Sequence, residues 1–281
     1  MHAPQSGPSA TGGCTRKVNM TLNWLNCAAG FGVGALVGLT GVGGGSIMAP
    51  VMILLFGIAP STAVGTDLWF AATTKIVGAW IHGKKGTIDK QILRRMFCGS
   101  LPAATLTLVW LYTTGASQSH SRLMFKTLGA TLILTSIAAV FRKRVHAFGE
   151  RMRGSRPIEF KSWQPALTVL AGAILGFLVT FTSVGAGALG AVMLLYLYPL
   201  RLTASALVGT DIVHAIPLAI LAGTGHLLMG NVNYGLLINL LLGSIPGIVI
   251  GSYASAHAPD KLVRSAISFM IAVVGVKMLV T

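Results

Sequence analysis

The chain has 281 residues, 53% of them hydrophobic and 10% charged, with a mean hydropathy of +0.75. Soluble domains carry roughly 25% charged residues, so the composition belongs to the polytopic membrane class and excludes an ordinary soluble domain. The net charge of +15 sits mainly in short segments between apolar stretches, a topogenic pattern rather than a nucleic-acid footprint, which excludes nucleic acid as a partner.

Residues 1–18 form a polar tail bearing Gly, Pro and Ser, expected to be disordered. Arg16-Lys17 ahead of an apolar run resembles the start of a signal peptide, but no small-residue cleavage site follows, so an uncleaved first span is expected. Apolar runs then fall at about 21–40, 46–58, 62–82, 92–112, 123–141, 164–182, 188–200, 203–225, 234–256 and 262–280. A full crossing takes roughly 17–25 apolar residues. The second and seventh runs are too short for that, and each follows a glycine cluster. They read as half-helices of a broken element, leaving about 8–10 membrane segments in an all-α fold. The basic stretch 142–162 separates a first membrane repeat, 19–141, from a second, 163–281.

Sliding the sequence against itself by 144 residues aligns 38–102 with 182–246 without a gap. The coincidences include Gly41/Gly185, Gly43/Gly187, Ser61/Ser205, His82/His226, Gly86/Gly230, Ser100/Ser244 and Pro102/Pro246. Above all, Val64-Gly65-Thr66-Asp67 recurs as Val208-Gly209-Thr210-Asp211. Apolar composition explains matched alanines but not matched aspartates, so the halves are read as a duplication. Residues 83–95 hold Lys84, Lys85, Lys90, Arg94 and Arg95, whereas the matching 227–239 holds no charge. The positive-inside rule then places 83–95 and the linker 142–162 in the cytoplasm, and the halves are expected to be inverted repeats with outward termini. Four crossings per half, parallel repeats and inward termini form the alternative.

Six acidic residues occur in the whole chain, and two of them, Asp67 and Asp211, lie in apolar segments. An ionisable group at membrane depth is costly and marks function by default. One reading is helix capping, since Thr-Asp at a helix start satisfies unpaired N–H groups. The sharper one is a proton or cation coupling site, because a carboxylate in a low-dielectric interior can exchange a proton as its surroundings open and close.

The glycine cluster containing Gly43, Gly44, Gly45 and Ser46 precedes the first short helix, and Ser183, Gly185 and Gly187 precede the second. Glycine admits close backbone approach, and a helix start offers N–H groups and a positive dipole end. Together these cradle an anion without a cationic side chain. Close packing by small residues is the bland alternative. Thr66 and Thr210, within the repeated blocks, are counted among the substrate-binding candidates. Lys75 and His214, standing where the other half has Ala219 and Phe70, break the symmetry, as a site for one asymmetric substrate should. Lys75 could neutralise Asp67, reach the interface or touch the anion. His82 and His226 end their spans as interfacial structural groups or direct participants, and Pro102 and Pro246 read as matched kinks. His82, His226, Pro102 and Pro246 together form the gating set. Trp24, Trp69, Trp80, Trp110 and Trp163 read as interface anchors.

Cys14, Cys27 and Cys98 show no CxxC spacing and no His-rich neighbourhood, so neither disulfide, metal nor cofactor is expected. No P-loop, HExxH or GxSxG pattern occurs, which argues against an ATP-driven pump and against an enzyme.

Gly41-Val42-Gly43-Gly44-Gly45-Ser46, the paired VGTD blocks and the His82-Gly83 turn resemble the TauE/SafE family of membrane transporters. The resemblance covers about 25–281. It implies a permease of the bacterial inner membrane, multi-pass, moving sulfur-containing anions such as sulfite or sulfoacetate. The second half departs from the fuller glycine pattern, with Ala188 and Leu189 opposite Gly44 and Gly45. Secondary transport by alternating access between the repeats, with proton coupling, is the expected function. An anion channel, or a carrier of a different small solute, is the alternative. The partners expected are the anion and the lipid bilayer, with the protein a monomer or a homodimer.

Overall fold

The computed structural model describes residues 23–40, 45–82, 88–115, 118–155, 157–254 and 260–280. They form ten α-helices and, among the described residues, no strand: α1 Trp24–Thr40, α2 Gly45–Leu54, α3 Pro60–His82, α4 Lys90–Thr114, α5 Gln118–Ser155, α6 Pro157–Thr182, α7 Ala188–Leu197, α8 Ala204–Leu228, α9 Tyr234–Ala254 and α10 Asp260–Val280. Each apolar run of the sequence is one helix, as a lipid solvent requires, because helical hydrogen bonding satisfies the backbone within the segment. Five helices are long and apolar enough to cross a membrane. α3 has the length but carries Asp67 and Lys75. α2 and α7, at 10 residues each, are the half-helices expected after the glycine clusters. The tail 1–18 and Gly43 and Gly44 lie outside the described residues.

The described part of 142–162 is helical. α5 continues to Ser155, 38 residues in all, roughly 57 Å at 1.5 Å per residue. Its polarity signalled water, not loss of helix: Arg, Lys, Glu and Met all favour helix, and no proline intervenes before Pro157. Phe148 stacks on Tyr196 at 6.1 Å, and Gly149 lets the chain close on the Tyr196 carbonyl. The extension is thereby held against the end of α7.

Lipid supplies no hydrophobic force between helices, so association rests on close packing and hydrogen bonds. α1 meets α9 through two facing glycine rows. Gly30, Gly34 and Gly38 lie against the backbone of Leu240, Ser244 and Ile248, while Gly243, Gly247 and Gly251 lie against Cys27, Phe31 and Ala35. The pairing recurs between α6 and α4: Gly172 lies on Met96, Gly176 on Ser100, and Gly99 on Val169. These contacts match residue for residue, Leu240 standing to Met96 and Ser244 to Ser100 as 144 demands. The partners Gly30/Gly172 and Gly34/Gly176 are instead 142 apart. The duplication thus extends through α1 and α6, two residues out of step with the ungapped alignment, because the second half gains two residues before its half-helix.

α3 and α8 cross at the centre and run antiparallel. Gly65 lies against Asn231 and His226, Trp69 against Gly223, and Thr210 against Asp89. Trp69 is therefore packed between helices rather than at an interface, unlike the exposed Trp24 and Trp163.

Candidate functional site

Asp67 and Asp211 lie two turns inside α3 and α8, which begin at Pro60 and Ala204. They are not helix caps; Thr203 caps α8 by accepting from the Ala206 amide at 3.2 Å. Both are buried, Asp67 completely. Asp211 instead faces the start of the half-helix of its own repeat, and Asp67 faces the second turn of its own half-helix together with the bend before the other. The Ala49 amide of α2 and the Ser183 hydroxyl face the Asp67 carboxylate. The Gly187 amide at the head of α7 faces Asp211. No hydrogen bond is closed at either Asp67 oxygen, at Oδ1 of Asp211 or at the Ser183 hydroxyl. Gly190, in the first turn of α7, is small because a Cβ there would stand 2.5 Å from Asp211 Oδ1. The first half has Ser46 at that position.

Lys75 lies two turns beyond Asp67 on α3, 7% exposed. Its ammonium donates to the Ala186 carbonyl at 3.3 Å and lies in the electrostatic reach of Asp211 and Asp67. Of its three sequence readings, the interfacial one is excluded: the side chain points into the protein. Ala186 belongs to the bend between α6 and α7, where Ser183 has φ 60, Gly185 φ 127 and Gly187 φ 128. Ser183 is the only non-glycine residue at positive φ among those described, a conformation that costs an L-residue energy and is sustained by its surroundings. Thr182 helps, accepting from the Val184 amide at 3.2 Å.

His214 completes the centre. Its Nε2 pairs with the Ser100 hydroxyl at 2.8 Å, its ring stands 5.3 Å from Phe97, and its Nδ1 is unpaired. Ser100 was visible in the sequence only as half of a matched pair. Its counterpart Ser244 faces the half with Phe70 in place of His214, and the Ser244 hydroxyl is unpartnered.

Thr66 and Thr210 tie the two repeats together. Thr66 accepts from the Asn233 amide at 3.0 Å, and Thr210 from the Asp89 amide at 3.2 Å. Asp89 and Asn233 are themselves 144 apart and begin α4 and α9, so each repeat's threonine holds the other repeat's helix start. Asp89 caps Gln91 and Ile92, and Asn233 caps Leu236. Around Asp89 the basic end is tied further. Arg201 pairs with Asp89 at 2.7 Å and donates to Gln91 at 2.9 Å. Arg95 donates to the Tyr198 hydroxyl at 3.1 Å, which also pairs with Thr168 at 2.7 Å.

His226 is buried near the opposite end of α8, its Nε2 2.9 Å from the Thr180 carbonyl. Pro102 and Pro246 lie inside α4 and α9 on exposed positions away from the centre. Gly45 opens α2; the side chains of Ser46 and His82 lie outside the described residues. The structure therefore brings together Asp67, Asp211, Lys75, Ser183, Gly187 and His214, and adds Ser100, Ala186 and Gly190.

Apolar helices that converge through two broken segments on a buried Asp–Lys–Asp centre define a multi-pass membrane transporter. The profile of the family described as Sulfite exporter TauE/SafE matches residues 26–278, and the chain belongs to that family. It is 40% identical over 255 residues to the "Probable membrane transporter protein YjnA" of Bacillus subtilis, covering 89% of this chain and 97% of that one. It is 28% identical over 253 residues to the "Probable membrane transporter protein YdhB" of the same organism, with 89% and 97% covered. A "Probable membrane transporter protein" of Methanocaldococcus jannaschii is 26% identical over 270 residues, with 89% and 92% covered. No solved structure matches the chain.

Proposed function

We propose that the protein is a secondary transporter of a small sulfur-containing oxyanion or organosulfonate, working by alternating access between two inverted repeats in the bacterial inner membrane and coupled to protons. The observation that carries this reading is that the protein's own carboxylates lie against the two half-helices, Asp211 at the head of α7 and Asp67 by Ala49 of α2 and Ser183, with Lys75 in electrostatic reach of both. A helix start is an anion site, and here Asp211 holds that of α7. A substrate anion can take such a position only when the carboxylate is neutralised or displaced, since two anions against one helix start repel. Proton uptake by the aspartate does this, which couples the anion to a proton. Lys75 supplies the positive charge with which the anion pairs once an aspartate is neutralised.

The antiparallel run of α3 and α8, equivalent members of the two repeats, supports the inverted arrangement. The basic end bearing Lys90, Arg94, Arg95 and Arg201 then faces the cytoplasm by the positive-inside rule. The family description, Sulfite exporter TauE/SafE, supports the substrate class.

Uptake of radiolabelled sulfite and sulfoacetate by proteoliposomes under an imposed pH gradient tests the reading. Lys75→Met is expected to abolish uptake. Asp67→Asn and Asp211→Asn are expected to leave a slower flux that no longer responds to the gradient. Normal transport by both asparagine variants with unchanged pH dependence would overturn the coupling.

A further inference from the structure

A shallow cleft of about 450 Å3 lies along the exposed face of α4. Its lining falls into two rows of side chains at four-residue spacing, which a helix stacks one above another. Lys90, Arg94, Cys98 and Pro102 form one row, all exposed, and Leu93, Phe97 and Leu101 form the other. We propose that this cleft is a binding site for an acidic phospholipid, with the headgroup on Lys90 and Arg94 and one acyl chain along the apolar part below them. The inference goes beyond transport and does not depend on which solute is carried.

The two ends of the cleft differ in kind. Both cations stand in the first two turns of α4, and every lining residue past Arg94 is uncharged. α4 is long and apolar enough to cross a membrane, and that span begins at Lys90. The cations therefore stand at the level of headgroups and the remainder in hydrocarbon. The stripe from Lys90 to Pro102 runs about 18 Å at 1.5 Å per residue, against about 15 Å for the hydrocarbon of one leaflet. A cleft one leaflet deep, cationic at its surface end and apolar below, has the layout of an anionic lipid.

The charge at the surface end is not cancelled by a neighbour within the cleft. Among the described residues no acid lines it. Asp89, next to Lys90 in the chain, is turned to Arg201 at 2.7 Å. Arg95 is engaged by the Tyr198 hydroxyl, and neither it nor Arg201 lines the cleft. Cations at the membrane surface attract acidic headgroups, and the guanidinium fork of Arg94 fits a phosphate. Below them Cys98 and Pro102 are small beside Leu93, Phe97 and Leu101, which makes room for a chain. The Phe97 ring is backed by that of His214 at 5.3 Å, so this wall is set in advance of binding.

The repeated helix lacks these features. The residues 144 positions on, in α9, are Tyr234, Ile238, Leu242 and Pro246. The proline is kept, both cations are absent, and an exposed leucine stands where Cys98 leaves room. A second copy of the chain fits the α4 face poorly. Copies share one orientation in the membrane, so a twofold contact through it would set Lys90 and Arg94 level with their own counterparts.

The test uses full-length protein with Cys14, Cys27 and Cys98 changed to serine. Thr105→Cys, exposed two turns beyond Cys98 on α4 and outside the cleft, carries a bimane label, and Leu242→Cys on α9 is the reference. In phosphatidylcholine liposomes a small fraction of lipid is replaced by phosphatidylglycerol or phosphatidylcholine brominated on its acyl chains. Quenching is expected to favour phosphatidylglycerol about tenfold or more at Thr105→Cys, as two basic residues at the surface allow, and to be nearly equal for the two lipids at Leu242→Cys. Lys90→Gln with Arg94→Gln is expected to bring the Thr105→Cys ratio down to the reference, whereas Arg94→Lys keeps most of it. Should the double variant fold poorly, Arg94→Gln alone is expected to lower the ratio about fivefold. Equal ratios at the two labels, or a ratio indifferent to removal of the cations, would overturn the site. Weak quenching by both lipids, alongside a Cys98–Cys98 crosslink in protein that keeps this cysteine, would also overturn it, because a second copy would then cover the face.

Discussion

Two glycines separate packing from function under one and the same substitution. At Gly34 a Cβ would stand 2.7 Å from the Ser244 Cα, in the row where α1 and α9 touch backbone to backbone. Backbone cannot yield locally, so the two helices must part along the whole row. At Gly190 the Cβ would stand 2.5 Å from Asp211 Oδ1, with the next atoms at 3.5 Å or more. There a single carboxylate rotates from 2.5 Å to beyond the 3.0 Å that real Cβ contacts respect.

Overpacking of an unyielding site costs about 1–3 kcal/mol. The gain in helix propensity from Gly to Ala, about 1 kcal/mol, offsets part of that at Gly34 and much of the smaller strain at Gly190. Gly34→Ala is therefore expected to lower Tm by several degrees, at about 2–4 °C per kcal/mol for a chain approaching this size, with transport per folded molecule near normal. Gly190→Ala is expected to keep Tm within about 2 °C, since its net cost lies below about 0.5 kcal/mol, while transport falls about tenfold or more because the carboxylate no longer meets the head of α7. Thermal unfolding in detergent and uptake in proteoliposomes read the two quantities separately. Gly190→Ala transporting at the parental rate would refute the placement of Asp211 against the half-helix.

Two further outcomes follow from the ties between repeats. Thr66→Val strips the acceptor from the Asn233 amide and is expected to cost about 1 kcal/mol in unfolding free energy, while Thr66→Ser restores it; equal stability of the two variants would refute the tie. Arg201→Ala breaks a partly exposed ion pair, so global stability changes by less than about 1 kcal/mol, but hydrogen exchange in the first turn of α4 is expected to rise. Unchanged exchange there would show that the pair does not close the basic end.

Much of the architecture was legible because lipid leaves a chain few options. Ten apolar runs became ten helices, and the glycine clusters marked the two short ones. The helical course of 142–155 was not legible, because a charged helix projecting into water and a polar connection read the same way. The repeat was visible where no insertion intervened, from Gly41 to Pro102. Its continuation through Gly30 and Gly34 was hidden by two extra residues in the second half, and only their contacts with Leu240 and Ser244 restored the register.

The site divides along the same line. Asp67, Asp211, Lys75 and His214 announced themselves by type, because a charged or titratable group in an apolar run is too costly to be incidental. Gly190 and Ser100 could not, since a glycine and a serine in a membrane helix are ordinary until a carboxylate or an imidazole is found against them. Thr66 and Thr210 were legible as a matched pair of candidates, but the sequence could not say that each reaches across to the other repeat.

The sequence by itself determined the membrane class, the duplication and the ionisable residues, because these follow from hydropathy, repetition and the cost of charge in lipid. Only the tertiary structure decided that the aspartates lie against the half-helices, Asp211 at the head of α7, and that Lys75 points inward to the Ala186 carbonyl. Those are relations between helices distant in the chain, and no periodicity along one helix encodes which face meets which partner.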